Sequence, residues 1–104
     1  MASCMFFPEL AEFYRIMKEM TNENVKDLEF LLSQIHPHWS KSVDGDALSV
    51  VEQMGQKMIW FFDSESKQFY LTNLIRYMEC IERRDLGRKL RALGTLRSIS
   101  LLIK

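Results

Sequence analysis

Residues that interrupt regular structure are scarce here: four glycines and two prolines in 104 residues. That excludes collagen-like, linker-rich and Pro/Gly low-complexity organisation, and no internal repeat is visible. Cysteine is nearly absent, with Cys4 and Cys80 alone, one towards each end. A small domain held by disulfides carries more, so the pair reads as two reduced thiols in a reducing compartment. Long apolar runs are missing, the longest being Met58 to Phe62, far too short to span a bilayer. Residues 1–9 have no basic n-region, and their apolar run stops at Pro8 and Glu9, so no secretory leader is expected. The expected location is cytoplasmic, with the nucleus as the second choice. An excess of charge of one sign is missing too: 14 acidic and 14 basic residues cancel. Bulk charge gives no reason to expect nucleic acid or an anionic membrane as partner, and little repulsion to keep copies apart.

What is present is apolar residues at helical spacing, in a composition 47% hydrophobic and of a length suited to one domain over residues 1–104. Phe7, Leu10, Phe13, Met17 and Met20 recur at three- and four-residue steps, which predicts an amphipathic helix starting at about Pro8 and ending near Thr21. Thr21 or Asn22 then offers a side-chain cap to a second helix whose inner stripe is Val25, Leu28, Leu32 and Ile35. Pro37 ends it, because the residue before a proline disfavours helical geometry. Residues 40–46 read as loop, and Asp46 caps a helix with Ala47, Val51, Met54 and Met58 inward. The run Met58 to Phe62 is apolar all round, so at least two of Trp60, Phe61 and Phe62 must be covered. Residues 63–66 form a polar connector. A helix with Leu71, Leu74, Ile75, Met78 and Ile81 on one face follows, then a last one with Leu86, Leu90 and Leu93 inward and Gly94 as a weak point. No alternating run of convincing length exists, so strands are not expected. The predicted fold is all-α, a compact antiparallel bundle of five or six short helices.

No converging set of catalytic groups is suggested, and the chain is read as not an enzyme, with no cofactor. His36 and His38 flank Pro37 without further ligands nearby in sequence, so no metal site is expected. Asp44-Gly45-Asp46 lacks the ordered ligand series of a calcium loop. There is no glycine-rich phosphate loop and no nucleophile elbow. Cys80 has no partner that would activate it, and burial beside Ile81 is its expected role.

Two features are not explained by a core. Phe30 falls about 200° from Leu28 on the helical wheel, near the face opposite the inner stripe, with Leu31 on its shoulder. A large aromatic turned from the core invites a partner, unless neighbouring helices surround it. The second feature is Arg83-Arg84-Asp85-Leu86, where an arginine and an aspartate two apart at a helix junction can form a fixed fork.

In their order along the chain, these features resemble the death effector domain family over about residues 6–93. Arg83-x-Asp85-Leu86 matches that family's Arg-x-Asp-Leu motif at the start of its sixth helix. Residues 25–32 are similar to its second helix, with Phe30 and Leu31 at the exposed Phe-Leu pair, and residues 46–51 resemble the start of its fourth. The acidic residue that usually pairs with the arginine is replaced by Asn24, with Glu23 adjacent. Gly87 stands where an aliphatic residue is usual. The connection between the fourth and fifth helices is longer and holds Trp60-Phe61-Phe62; an alternative alignment puts the fourth helix at about 55–65. The resemblance implies a six-helix death fold and homotypic association with other death effector domain proteins: an adaptor, an initiator caspase or a caspase-like inhibitor. It implies recruitment of caspases into apoptotic complexes or its inhibition, and leaves self-association into filaments open. Phe30, Leu31, Asn24, Glu23, Arg83, Asp85, Arg84 and Arg88 are the partner-binding candidates. The alternative is a helical nucleic-acid-binding domain using Arg84, Arg88 and Arg91 on one face of the last helix, with Lys89 and Arg97 nearby. Zero net charge and the interleaved Glu79, Glu82 and Asp85 weigh against it.

Overall fold

A computed structural model describes the backbone of residues 8–41 and 45–103, with side chains up to residue 94. Expectations for Cys4, Phe7, Asp44 and the Arg97 side chain lie outside the described residues. The described chain is mostly helical: α1 (Pro8–Met17), α2 (Asn22–Ile35), α3 (Ala47–Gln56), α4 (Thr72–Cys80) and α5 (Arg84–Ile103). Between α3 and α4 stand two short strands, β1 (Phe61–Asp63) and β2 (Gln68–Tyr70).

Local chemistry accounts for the helix ends. Thr21 caps α2: its Oγ1 accepts from the Asn24 N–H, and Asn24 Oδ1 accepts from the Thr21 N–H, a complete capping box. At the other end α2 stops at Ile35, before His36 and Pro37. Asp46 Oδ1 accepts from the Ser49 N–H at 2.7 Å and starts α3. Where α3 ends, Met58 takes φ +60° while the Ile59 N–H reaches back to the Met54 carbonyl. Glu82 does the same after α4, at φ +63°, with the Arg83 N–H bonded to the Met78 carbonyl. Both are left-handed caps of the kind glycine usually fills.

Apolar stripes from all five helices meet in one connected core. Phe13, Met17, Leu28, Leu32, Val50, Val51, Met54, Leu74, Met78, Leu86 and Leu90 are fully buried within it. Two positions of the predicted stripes do not reach it. Ile35 is 49% exposed because α2 ends there, and Met58 is 65% exposed because α3 has ended two residues earlier and the chain turns left-handed. Val50 takes the inward place instead.

The strands correct the all-helical expectation. β1 and β2 pair antiparallel in the register Phe61↔Tyr70, Phe62↔Phe69 and Asp63↔Gln68. Asp63 turns the hairpin, accepting from the Glu65 N–H and the Ser66 hydroxyl. Aromatic packing holds it to the helices. Phe69 lies 5.6 Å from Phe13 and 4.7 Å from Phe62, ring centre to centre, and Trp60 lies 4.4 Å from Phe13. Trp60 is buried and donates to the Val51 carbonyl at 2.8 Å. Of the aromatic run, Trp60 is buried, Phe62 is partly buried against the core and Phe61 is exposed, so two of the three are covered as expected. The hairpin also rules out a helix at 55–65. Among the described residues no helix is long and apolar enough to cross a membrane.

Candidate functional site

The two features that a core does not explain meet where the flank of α2 faces the α4–α5 junction. On α2, Val25, Leu28 and Leu32 are buried, and Phe30 points the other way, 63% exposed, with Leu31 half-buried beside it. Phe30 and Leu31 form one wall of a shallow groove whose other lining is Asp27, Cys80, Ile81 and Glu82. Cys80 is exposed with a free thiol, not buried as its neighbour Ile81 suggested, because Met78 and Ile81 hold the inward positions around it.

The Arg83 fork lies at the same junction. Its Nε donates to Asp85 Oδ1 at 3.0 Å and its Nη2 to Asp85 Oδ2 at 2.9 Å, a bidentate pair. Its Nη1 donates to Asn24 Oδ1 at 2.7 Å and to the Glu19 carbonyl at 3.1 Å. One side chain thus ties the end of α1, the first turn of α2 and the start of α5. The hydrogen bond from Arg83 holds the Asp85 carboxyl down to about 2, and the same bond raises Arg83 above its ordinary value. Asn24 needs no charge for this role, since its amide oxygen serves the capping box and the arginine together.

The remaining candidates divide. Glu23 is exposed and takes no part in the fork. Arg84 and Arg88 are exposed on α5 and make no ion pair among the described residues, whereas Arg91 lies 3.9 Å from Glu79. Lys89 donates to both carboxylate oxygens of Glu19, at 2.8 and 2.9 Å. The basic strip of the last helix is therefore interrupted by carboxylates, with two of its members taken. Glu19 is the residue that sequence reasoning missed. It is the acceptor of both Arg83 and Lys89, from 64 and 70 residues away, and no local pattern marks such a pairing.

Elsewhere His36 Nε2 lies 3.4 Å from the Tyr77 hydroxyl, and Trp39 is buried with its Nε1 3.4 Å from Glu29 Oε2. Among the described residues no group of three or more His, Cys, Asp or Glu side chains is placed to hold a metal ion. Family models, curated proteins and solved structures yield no match to this chain.

Proposed function

We propose that this chain is a homotypic protein–protein interaction module of the death effector type, acting without catalysis in the assembly or inhibition of caspase-recruiting complexes. In this reading α1, α2, α3, α4 and α5 correspond to the first, second, fourth, fifth and sixth helices of a six-helix death fold. Residues 36–46 stand in place of the third, and the hairpin fills the lengthened fourth-to-fifth connection. The observation that carries the reading is Phe30, 63% exposed on a helix whose opposite face is sealed in the core. A phenyl ring so placed adds little to folding and much to an interface, where buried aromatic anchors dominate binding. The Arg83–Asn24–Asp85 fork supports it by fixing the junction against which Phe30 and Leu31 stand.

The test is capture of purified death effector domains by the full chain, wild type and Phe30→Ala. Stability should change by less than about 0.5 kcal/mol, as for most surface substitutions. Affinity should fall by about 2 kcal/mol or more, roughly thirtyfold in Kd. Leu31→Ala, nearer the core, should lower both. Equal capture by wild type and Phe30→Ala would remove the reading, as would a large stability loss with binding per folded molecule unchanged.

A further inference from the structure

The seam between α4 and α5 carries charge that neither the core nor the Arg83 fork uses. The two helices pack closely there, and a Cβ at Gly87 would stand 3.7 Å from the side chains of both Ile75 and Glu79. Along the outer edge of the seam α5 presents Arg84, Arg88 and Arg91, at steps of four and three residues and so on one face. From α4 comes Arg76, one residue past Ile75 and thus turned about 100° from it towards solvent. All four arginines are exposed. Arg91 has Glu79 at 3.9 Å, whereas Arg76, Arg84 and Arg88 have no ion-pair partner among the described residues.

At the Arg91 end the seam opens into a groove of about 240 Å³. Phe69, Leu71, Ile75 and Leu90 line it, with the exposed Thr72 and Arg91 at its edge. Gly94 also borders it, and a Cβ there would meet nothing within 4 Å, so the groove is open on that side. Arg84 and Gly94 are ten residues apart on α5, about 15 Å, close to three turns of helix. Guanidinium groups that no carboxylate of the chain answers, in line with an apolar groove, complement a segment that carries carboxylates beside an apolar side chain.

We infer that the α4–α5 seam binds an acidic amphipathic helix of a partner protein, which seats an apolar side chain in the groove and pairs its carboxylates with Arg76, Arg84 and Arg88. Carboxylates four residues apart on that helix match the spacing of Arg84 and Arg88. Nucleic acid fits the seam less well. A phosphate strand would pass the Glu79 carboxylate and would place nothing apolar against Phe69, Ile75 and Leu90. The seam lies on α4 and α5 and includes neither Phe30 nor Leu31, so this contact is separate from the homotypic one and does not depend on it.

The probe is a fluorescein-labelled synthetic helix of about 15 residues, with leucine and phenylalanine on one stripe and glutamate at four-residue steps beside it. Fluorescence anisotropy with the full chain should show saturable binding, with Kd below about 100 μM and rising with salt. Arg76→Glu combined with Arg88→Glu should weaken it at least about tenfold, with circular dichroism unchanged because both side chains are exposed and unpaired. A probe with lysine in place of glutamate should recover binding to that double variant. Gly94→Leu should weaken binding several-fold by filling the groove, while its thermal melt holds or rises, since leucine is the better helix former and the space is open. Phe30→Ala should bind the probe as wild type does. No saturable binding below about 1 mM would overturn the inference. So would seam variants that bind like wild type, or equal binding of a probe whose leucine and phenylalanine are replaced by serine. A single-stranded oligonucleotide of equal charge that binds more tightly than the probe would overturn it too, and would assign the seam to nucleic acid.

Discussion

Arg83 spends its donors on three parts of the chain, so removing it leaves the Glu19 carbonyl and Asn24 short of a partner at once. Arg83→Ala should cost about 1–3 kcal/mol in a denaturant titration, the range for losing charged hydrogen bonds at a part-buried group. Asp85 acts on the same fork through pH. Its folded value of about 2 lies below the ordinary 3.8, so the unfolded chain binds the proton first as acid is added. The stability it contributes is whole above about pH 4 and disappears as pH falls through about 2. Acid titration of Asp85→Asn should lack that component, and an acid limb identical to wild type would contradict the assignment. Glu82 illustrates a different residue-scale effect, a side chain on a backbone turn that glycine adopts without strain. Glu82→Gly should match or exceed wild-type stability by up to about 1 kcal/mol, strain relief outweighing chain entropy.

Helices here answer to what packs on them, and two glycines separate that effect from intrinsic propensity. A methyl group added at Gly55 in α3 would stand 3.0–3.2 Å from the Trp60 indole, which its hydrogen bond to Val51 prevents from yielding. At Gly87 in α5 the nearest atoms would be 3.7 Å away, ordinary contact. Alanine favours a helix by about 1 kcal/mol over glycine at either position. Gly87→Ala should therefore stabilise by about 0.5–1 kcal/mol, and Gly55→Ala should destabilise, because overpacking costs about 1–3 kcal/mol. Thermal melts that rank the two variants the other way would show that Trp60 is free to move. The helices themselves are legible in the order of residues: Thr21 and Asp46 cap where their side chains announce it, and Val25, Leu28 and Leu32 line up inward. The hairpin is not legible there. Three residues per strand are too few for alternation to show, and the segment is held by Phe62–Phe69 and Phe69–Phe13 packing, visible only once α1 lies alongside.

For the molecule as a whole, one connected core joins every element, and its two tryptophans sample different parts of it. Trp60 packs on Phe13 under the hairpin, while Trp39 closes the α2–α3 connection against Glu29. Both are buried, so a soluble quencher should reduce native emission only weakly. Trp39→Phe and Trp60→Phe variants should unfold in denaturant with coincident single transitions, as expected for a small domain with one core. Separated midpoints would divide the molecule into parts that unfold independently. From sequence alone came the helical class, the cap positions, the inward stripes, the outward placement of Phe30 and the pairing of Arg83 with Asp85. Each depends on residues within a few positions of one another, where 3.6-residue periodicity and side-chain reach decide the outcome. Tertiary structure alone decided the rest: the hairpin, the exposure of Ile35 and Met58, the Glu19 and Asn24 ends of the fork, and the acidic groove beside Phe30. These depend on which distant surfaces meet, and pairings across 59 to 70 residues leave no trace in local spacing.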